Sequence, residues 1–394
     1  MNMALRSTFL KGLRQAAAAG LLLAASLLPA AWAHGDAPQA RGAGAERKGE
    51  AQSTRALQDS DKPGQARIDR PLPAKVKARL AEVPSEDLPR SQTFYFRSNE
   101  WRQDLLRPHL RGKGGIYLGV GSDQSYTMAA MAGAEFVFLV DFDPRIPLVH
   151  RTYGALIRHS PTAAALLHRF DEAKLSQSVA LLERELADDP DRARMIKYFR
   201  RHRGPWQAYL RRVARGVRHG KPFTWLSGPR LYAYVRTLHQ RGRIVSRVGD
   251  VTGHETLQAY ARVARDLQLP VRTVYFSNAE QFFRYTPQFV ANMAALPTDS
   301  QSVVVRTIRH ARIAKAEDGR WHYMVHAFDD FLERMRTPYY RKSFALVGDL
   351  LAAGPPFLGR GGISTMTRDT PRTFLRQAQQ QRRGKRRARQ SLDD

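Results

Sequence analysis

Two stretches of the chain hold residue types and spacings that could do chemistry. Gly115–Ser125 reads GIYLGVGSDQS, with Gly119 and Gly121 as a Gly-x-Gly pair and Asp123 two places on. Glycines at such a turn let the backbone bend sharply and let a ligand approach without meeting a Cβ. Ser122 or Asp123 can also cap a following helix. Asp141 stands about twenty residues beyond Gly119, the distance at which a doubly wound fold hydrogen-bonds a ribose diol. It leads into Phe142-Asp143-Pro144, and a further acid, Asp250, lies in Gly249-Asp250-Val251-Thr252-Gly253. A glycine turn with Asp123, Asp141, Asp143 and Asp250 outlines a nucleoside-sized pocket; each motif alone also fits a plain tight or capped turn. The second stretch is Phe276-Ser277-Asn278-Ala279-Glu280-Gln281-Phe282-Phe283. Glu280 is a candidate general base if burial lifts its pKa toward neutrality. Ser277 and Glu280, three apart, equally fit a capping box.

These residues need strands and helices to bring them together. Apolar runs bounded by turn residues predict strands over 116–120, 135–141, 243–248, 271–276, 302–308 and 322–326. Helical spacing predicts helices over 126–132, 254–267 and 279–283, the last continuing beyond Pro287. Strand–helix alternation, with runs dense in Val, Ile and Phe, predicts an α/β fold built on a doubly wound, mostly parallel sheet. The acids and glycines then fall at C-terminal strand ends, where such sheets bind ligands. One connection is abnormal. Residues 145–242 show no convincing strand, and helix-like spacing at 156–170, 173–186, 191–201 and 205–217 reads as a helical insertion between strands two and three. Insertions of this size shape substrate clefts.

On these motifs the chain resembles the class I S-adenosylmethionine-dependent methyltransferases over about residues 112–330, the insertion apart. The resemblance implies a methionine-binding loop at Gly119 and Gly121, a ribose acid at Asp141 and an adenine-edge acid at Asp250. It implies that the edge after strand four faces the reacting methyl group, so that Asn278 would orient an acceptor nitrogen or hydroxyl. The chain departs from that pattern at Asp123, which takes the third glycine position, and at Tyr117, where an acid usually precedes the loop. Within the superfamily, Tyr117–Gln124 and Phe276–Gln281 look like those of an uncharacterised group of exported bacterial proteins with no established reaction.

Composition bounds the rest. The 394 residues carry 64 Lys and Arg against 36 Asp and Glu, a net charge of +28, and no cysteine. That excludes disulfides, iron–sulfur clusters, a thiol nucleophile, Cys-ligated zinc and a lipoprotein anchor. Residues 1–33 read as a signal peptide: Arg6, Lys11 and Arg14, an Ala/Leu run from Ala16 to Leu28, and an Ala31-Trp32-Ala33 cleavage pattern. The expectation is an exported bacterial protein, periplasmic or secreted, with no integral span after cleavage. Residues 34–75 read as a disordered linker, 76–370 as the folded domain and 371–394, with its Arg382–Arg389 cluster, as a disordered basic tail. Lys197–Trp206 and the basic residues from Arg211 to Lys221 form either a solvated face or a surface for an anionic envelope polymer or lipid. His322 and His326, four apart on a strand, stand about 13 Å apart, too far to share a metal. No α/β-hydrolase elbow and no P-loop occurs. Three readings follow: an exported methyltransferase using S-adenosylmethionine; a non-catalytic Rossmann-like envelope protein binding an unknown small ligand or anionic polymers; and a nicotinamide oxidoreductase, disfavoured by the missing third glycine and the long gap between strands two and three.

Overall fold

The structure, a computed structural model, describes residues 67–376 and 379–381. The expected signal peptide, most of the linker and the Arg382–Arg389 cluster lie outside these residues.

The apolar runs form strands because their side chains can be buried on both faces at once. In chain order the elements are α1 (Ala74–Ala81), a 3₁₀ turn with the short α2 (Arg107–Leu110), β1 (Ile116–Val120), α3 (Gln124–Ala132), β2 (Phe136–Asp141), α4 (Arg145–Arg158), α5 (Ala163–His168), α6 (Leu175–Glu185), α7 (Arg192–Ala214), the two-residue strands β3 (Val217–Arg218) and β4 (Lys221–Pro222), and α8 (Pro229–Gln240). There follow β5 (Ile244–Val248), α9 (Thr256–Leu267), β6 (Val271–Ser277), α10 (Pro287–Ala295), β7 (Val303–Ile308), β8 (His322–Ala327), α11 (Phe328–Met335), α12 (Ser343–Ala353) and β9 (Ile363–Met366). Seven strands make one sheet in the order β5-β2-β1-β6-β7-β8-β9. The pairs from β5 to β7 are parallel, β8 runs antiparallel to β7, and β9 is parallel to β8. The order reverses between β1 and β6, the switch point at which doubly wound sheets bind ligands. The protein is therefore α/β with a mostly parallel sheet and helices on both sides, an architecture compatible with a Rossmann-like fold.

Alternation along each strand builds two cores. Ile116, Leu118, Phe138 and Val274 pack with α9, α10, α11 and α12 on one side. Tyr117, Val137, Leu139 and Tyr275 pack on the other with α3, α4, α8 and the helices of the long β2–β5 connection.

Several expectations need correction. The folded body starts before residue 76: Ile68 and Leu72 are buried, and Arg243 donates to the carbonyls of Arg67 and Arg70. The tail is likewise anchored at its root, where Arg372 meets Asp330 and Glu333. Residues 191–201 and 205–217 are not two helices. Met195, Phe199, Trp206, Leu210 and Val213 share one buried face, and a single helix α7 runs through Gly204-Pro205. Tertiary burial of that face outweighs the local cost of proline. The insertion also contains the small β3–β4 hairpin. The helix expected over 279–283 is one 3₁₀ turn, and the edge strand β9, short and half polar, escaped prediction.

Candidate functional site

The C-terminal edge at the switch point brings most of the expected residues together, each already bonded within the chain. Strand β1 ends at Val120 and is followed by Gly121, whose φ of +86° suits glycine. A Cβ there would stand 2.7 Å from Gln124 Nε2, and one at Gly119 would stand 2.5 Å from the Tyr117 ring. The glycines thus make room for this chain's own side chains: the space beside Gly119 holds Tyr117, stacked on Tyr275. The Asp141 carboxylate reaches across from β2 to accept from Gly121 N–H at 3.0 Å and from Asp143 N–H at 2.8 Å. Burial pushes it up to about 7. Asp143 accepts from the backbone and guanidinium of Arg145, which stacks on Phe94.

Asp123, expected as a cap or ligand residue, makes no side-chain cap to α3. It is fully buried. Its carboxylate accepts from Tyr209 Oη at 2.7 Å and from Trp225 Nε1 at 2.8 Å, so the insertion closes directly onto the glycine turn. Burial raises Asp123 to about 6. His150, from α4, completes the clamp: Nε2 donates to Gly121 O at 2.9 Å and Nδ1 accepts from Tyr126 Oη at 2.8 Å. Its partners require that tautomer, and burial lowers it to about 4.

Asp250 lies apart at the end of β5 and turns on itself, accepting from Thr252 N–H and Oγ1. Glu280 is across the sheet from Asp123. It sits in the other core, accepting from Tyr285 Oη at 2.6 Å and from the buried guanidinium of Arg306. Both oxygens are engaged and the side chain is only 2% exposed, which runs against a general-base role. The capping box does not form either: Ser277 Oγ donates to Glu100 instead. Asn278 is half-buried in the adjoining turn, its carbonyl accepting from Gln281 N–H.

The sequence reading missed the segment that organises this edge. Residues 84–101 have no regular structure and pass along the C-terminal strand ends as a strap. Glu86 N–H donates to Val248 O, and the Glu86 carboxylate accepts from the amides of Asp250 and Thr256 and from Thr256 Oγ1. Ser91 O accepts from Arg145. Ser98 N–H donates to Tyr209 Oη. Glu100 ends the strap under β6 and β7, accepting from Tyr275, Ser277 and Thr307. Burial raises its pKa. Ser277 adopts φ +52°, a strained value for a non-glycine, where the β6–β7 register shifts.

A void of about 30 Å³ lies at the switch point, lined by Glu100, Gln103, Asp123, Gln124, Thr127 and Tyr209, among others. One water fills such a space. Among the described residues no group of three or more His, Cys, Asp or Glu is placed to hold a metal.

Fold and edge together define an α/β protein with a mostly parallel sheet, compatible with a Rossmann-like fold. The chain belongs to the family described as "Domain of unknown function (DUF7790)", whose model matches residues 95–355. That span takes in Glu100, the glycine turn, the insertion and the sheet up to β8. No curated protein matches the chain.

Proposed function

We propose that the protein is an exported, non-catalytic Rossmann-like scaffold, descended from a nucleoside-binding fold, that binds anionic envelope polymers or lipid surfaces through its basic face. The observation that carries this reading is the closed switch point. Ligand pockets occupy about 300–1,000 Å³, whereas the void between Glu100 and Asp123 is about 30 Å³. S-adenosylmethionine does not fit the crevice as the side chains stand. Tyr117 and Gln124 take the space beside the two glycines, backbone amides take both oxygens of Asp141, and Glu86 takes the amide of Asp250. In this reading Asn278 and Glu280 carry no chemistry, Glu280 being held by Tyr285 and Arg306.

Isothermal titration of the purified protein with S-adenosylmethionine and S-adenosylhomocysteine tests the reading. No heat is expected from either ligand at millimolar concentration. Micromolar binding that disappears in Asp141→Ala would instead establish a working cofactor pocket and overturn the scaffold assignment.

A further inference from the structure

The insertion carries more cations than it pairs, and part of that surplus lies together on one stretch of α7. Much of its positive charge is tied to acids: Arg151 to Asp189 and Asp191, Arg194 to Asp191, Arg203 to Glu172, and Arg211 to Asp171. Lys197, Arg200 and Arg201, on successive turns of α7, are exposed and make none of the ion pairs found among the described residues. With Arg192 they line an open groove of about 840 Å³ between α6 and α7. Its floor includes Ile196, half-buried against the core. Of the described residues lining it, Glu183 alone is acidic.

The aromatic residues of α7 decide which polyanion suits this groove. Tyr198, Phe199, His202 and Trp206 turn inward and pack with Phe94, Phe96, Tyr153 and Phe170. Single-stranded nucleic acids need exposed rings on which bases stack, and this face presents none of these four. The cationic stretch is also short: residues 192–201 rise about 14 Å along the helix, at 1.5 Å per residue. A compact cationic rim over a small apolar floor fits a phosphate headgroup with the first carbons of its tail. The apolar face of α7 is consumed by the core, so the helix stays on the surface and does not insert.

We infer that the α6–α7 groove, through Lys197, Arg200 and Arg201, is a docking site for the phosphate headgroups of an anionic bilayer. This rests on the binding-scaffold reading and names its partner. The test is co-sedimentation of the full protein with phosphatidylglycerol/phosphatidylcholine vesicles, against pure phosphatidylcholine, at low and high salt. The K197Q/R200Q/R201Q variant should lose about a hundredfold in partitioning, at roughly fivefold per basic residue. R200K/R201K should keep most of the binding, because charge carries it. Deletion of residues 382–394 should leave the groove's share intact. Binding that survives the triple substitution and vanishes with the tail deletion would overturn the groove while leaving the scaffold reading standing. Absence of any partitioning by the unmodified protein would overturn both. Tight binding to a single-stranded oligonucleotide with none to vesicles would overturn the lipid assignment.

Discussion

Glu280 and Arg306 show how a residue that looks reactive in a sequence can be structural in place. Both side chains are only 2% exposed, and each is the other's charge partner. Removing one partner of such a pair leaves the other buried and uncompensated, at a cost of roughly 3–5 kcal/mol. Glu280→Gln should therefore unfold at markedly lower denaturant concentration than the parent, which chemical denaturation followed by circular dichroism would read. His150 makes a second residue-level case, with a pH signature. Its folded pKa of about 4 lies below the ordinary 6.5. The unfolded chain therefore binds the extra proton first. The stability this histidine contributes is fully present above about pH 6.5 and is lost as the pH falls toward 4, amounting to roughly 3 kcal/mol at most. Asp123 and Asp141 act in the opposite sense. Burial raises them to about 6 and about 7, so their charging costs stability as the pH rises from about 4 through those values. His150→Gln can keep both hydrogen bonds without titrating. Its stability relative to the parent should rise between pH 6.5 and 4, as measured by thermal unfolding across that range. An unchanged difference would argue against a buried neutral histidine.

At the scale of elements, the strap of residues 84–101 holds the C-terminal edge closed, and Glu86 is its anchor over α9. Glu86 serves Thr256 N–H and Oγ1 at the start of that helix, although it is distant in sequence. Replacing a capping carboxylate with alanine costs about 1–2 kcal/mol. Glu86→Ala should lower stability by that amount and should speed amide exchange in residues 84–101 and in the first turn of α9, with little change in β1 or β6. The strap also marks where sequence reasoning stopped. Strands β1, β2 and β5–β8 were legible because their Val, Ile and Phe runs answer to burial on two faces. The glycine turn and Asp141 were legible because their spacing is a backbone property. Glu86 and Glu100 had no such signal. They are single acids in an irregular segment, and their roles arise only when the chain folds back over strand ends 160 or more positions away. Tyr209 and Trp225 escaped for the same reason, since their contact with Asp123 joins a helical insertion to a turn about a hundred residues earlier. The occupant of the Gly-x-Gly turn, the chain itself, was therefore beyond reach of a motif.

Across the whole molecule, the charge divides between the described body and the C-terminal Arg382–Arg389 cluster outside it. Residues 382–394 hold six of the 64 Lys and Arg, so most of the positive field belongs to the rest of the chain. The segment just before them does different work. Arg372 reaches Asp330 and Glu333. Phe374 N–H donates to Asp349 at 2.6 Å, and the Thr370 carbonyl accepts from the buried Arg334. Asp330 and Asp349 are themselves fully buried around Arg334, so stripping their C-terminal partners leaves buried anionic groups short of hydrogen bonds. The two ends of the predicted tail should thus separate in experiment. Deletion from residue 382 should leave the thermal midpoint unchanged and reduce only the salt-sensitive part of binding to anionic surfaces. Deletion from residue 371 should also cost stability, by about 2–4 kcal/mol for lost charged hydrogen bonds and ion pairs. Equal midpoints for both truncations would show that the root of the tail is electrostatic decoration. A lower midpoint for the longer deletion would make residues 371–376 the last element of the folded domain.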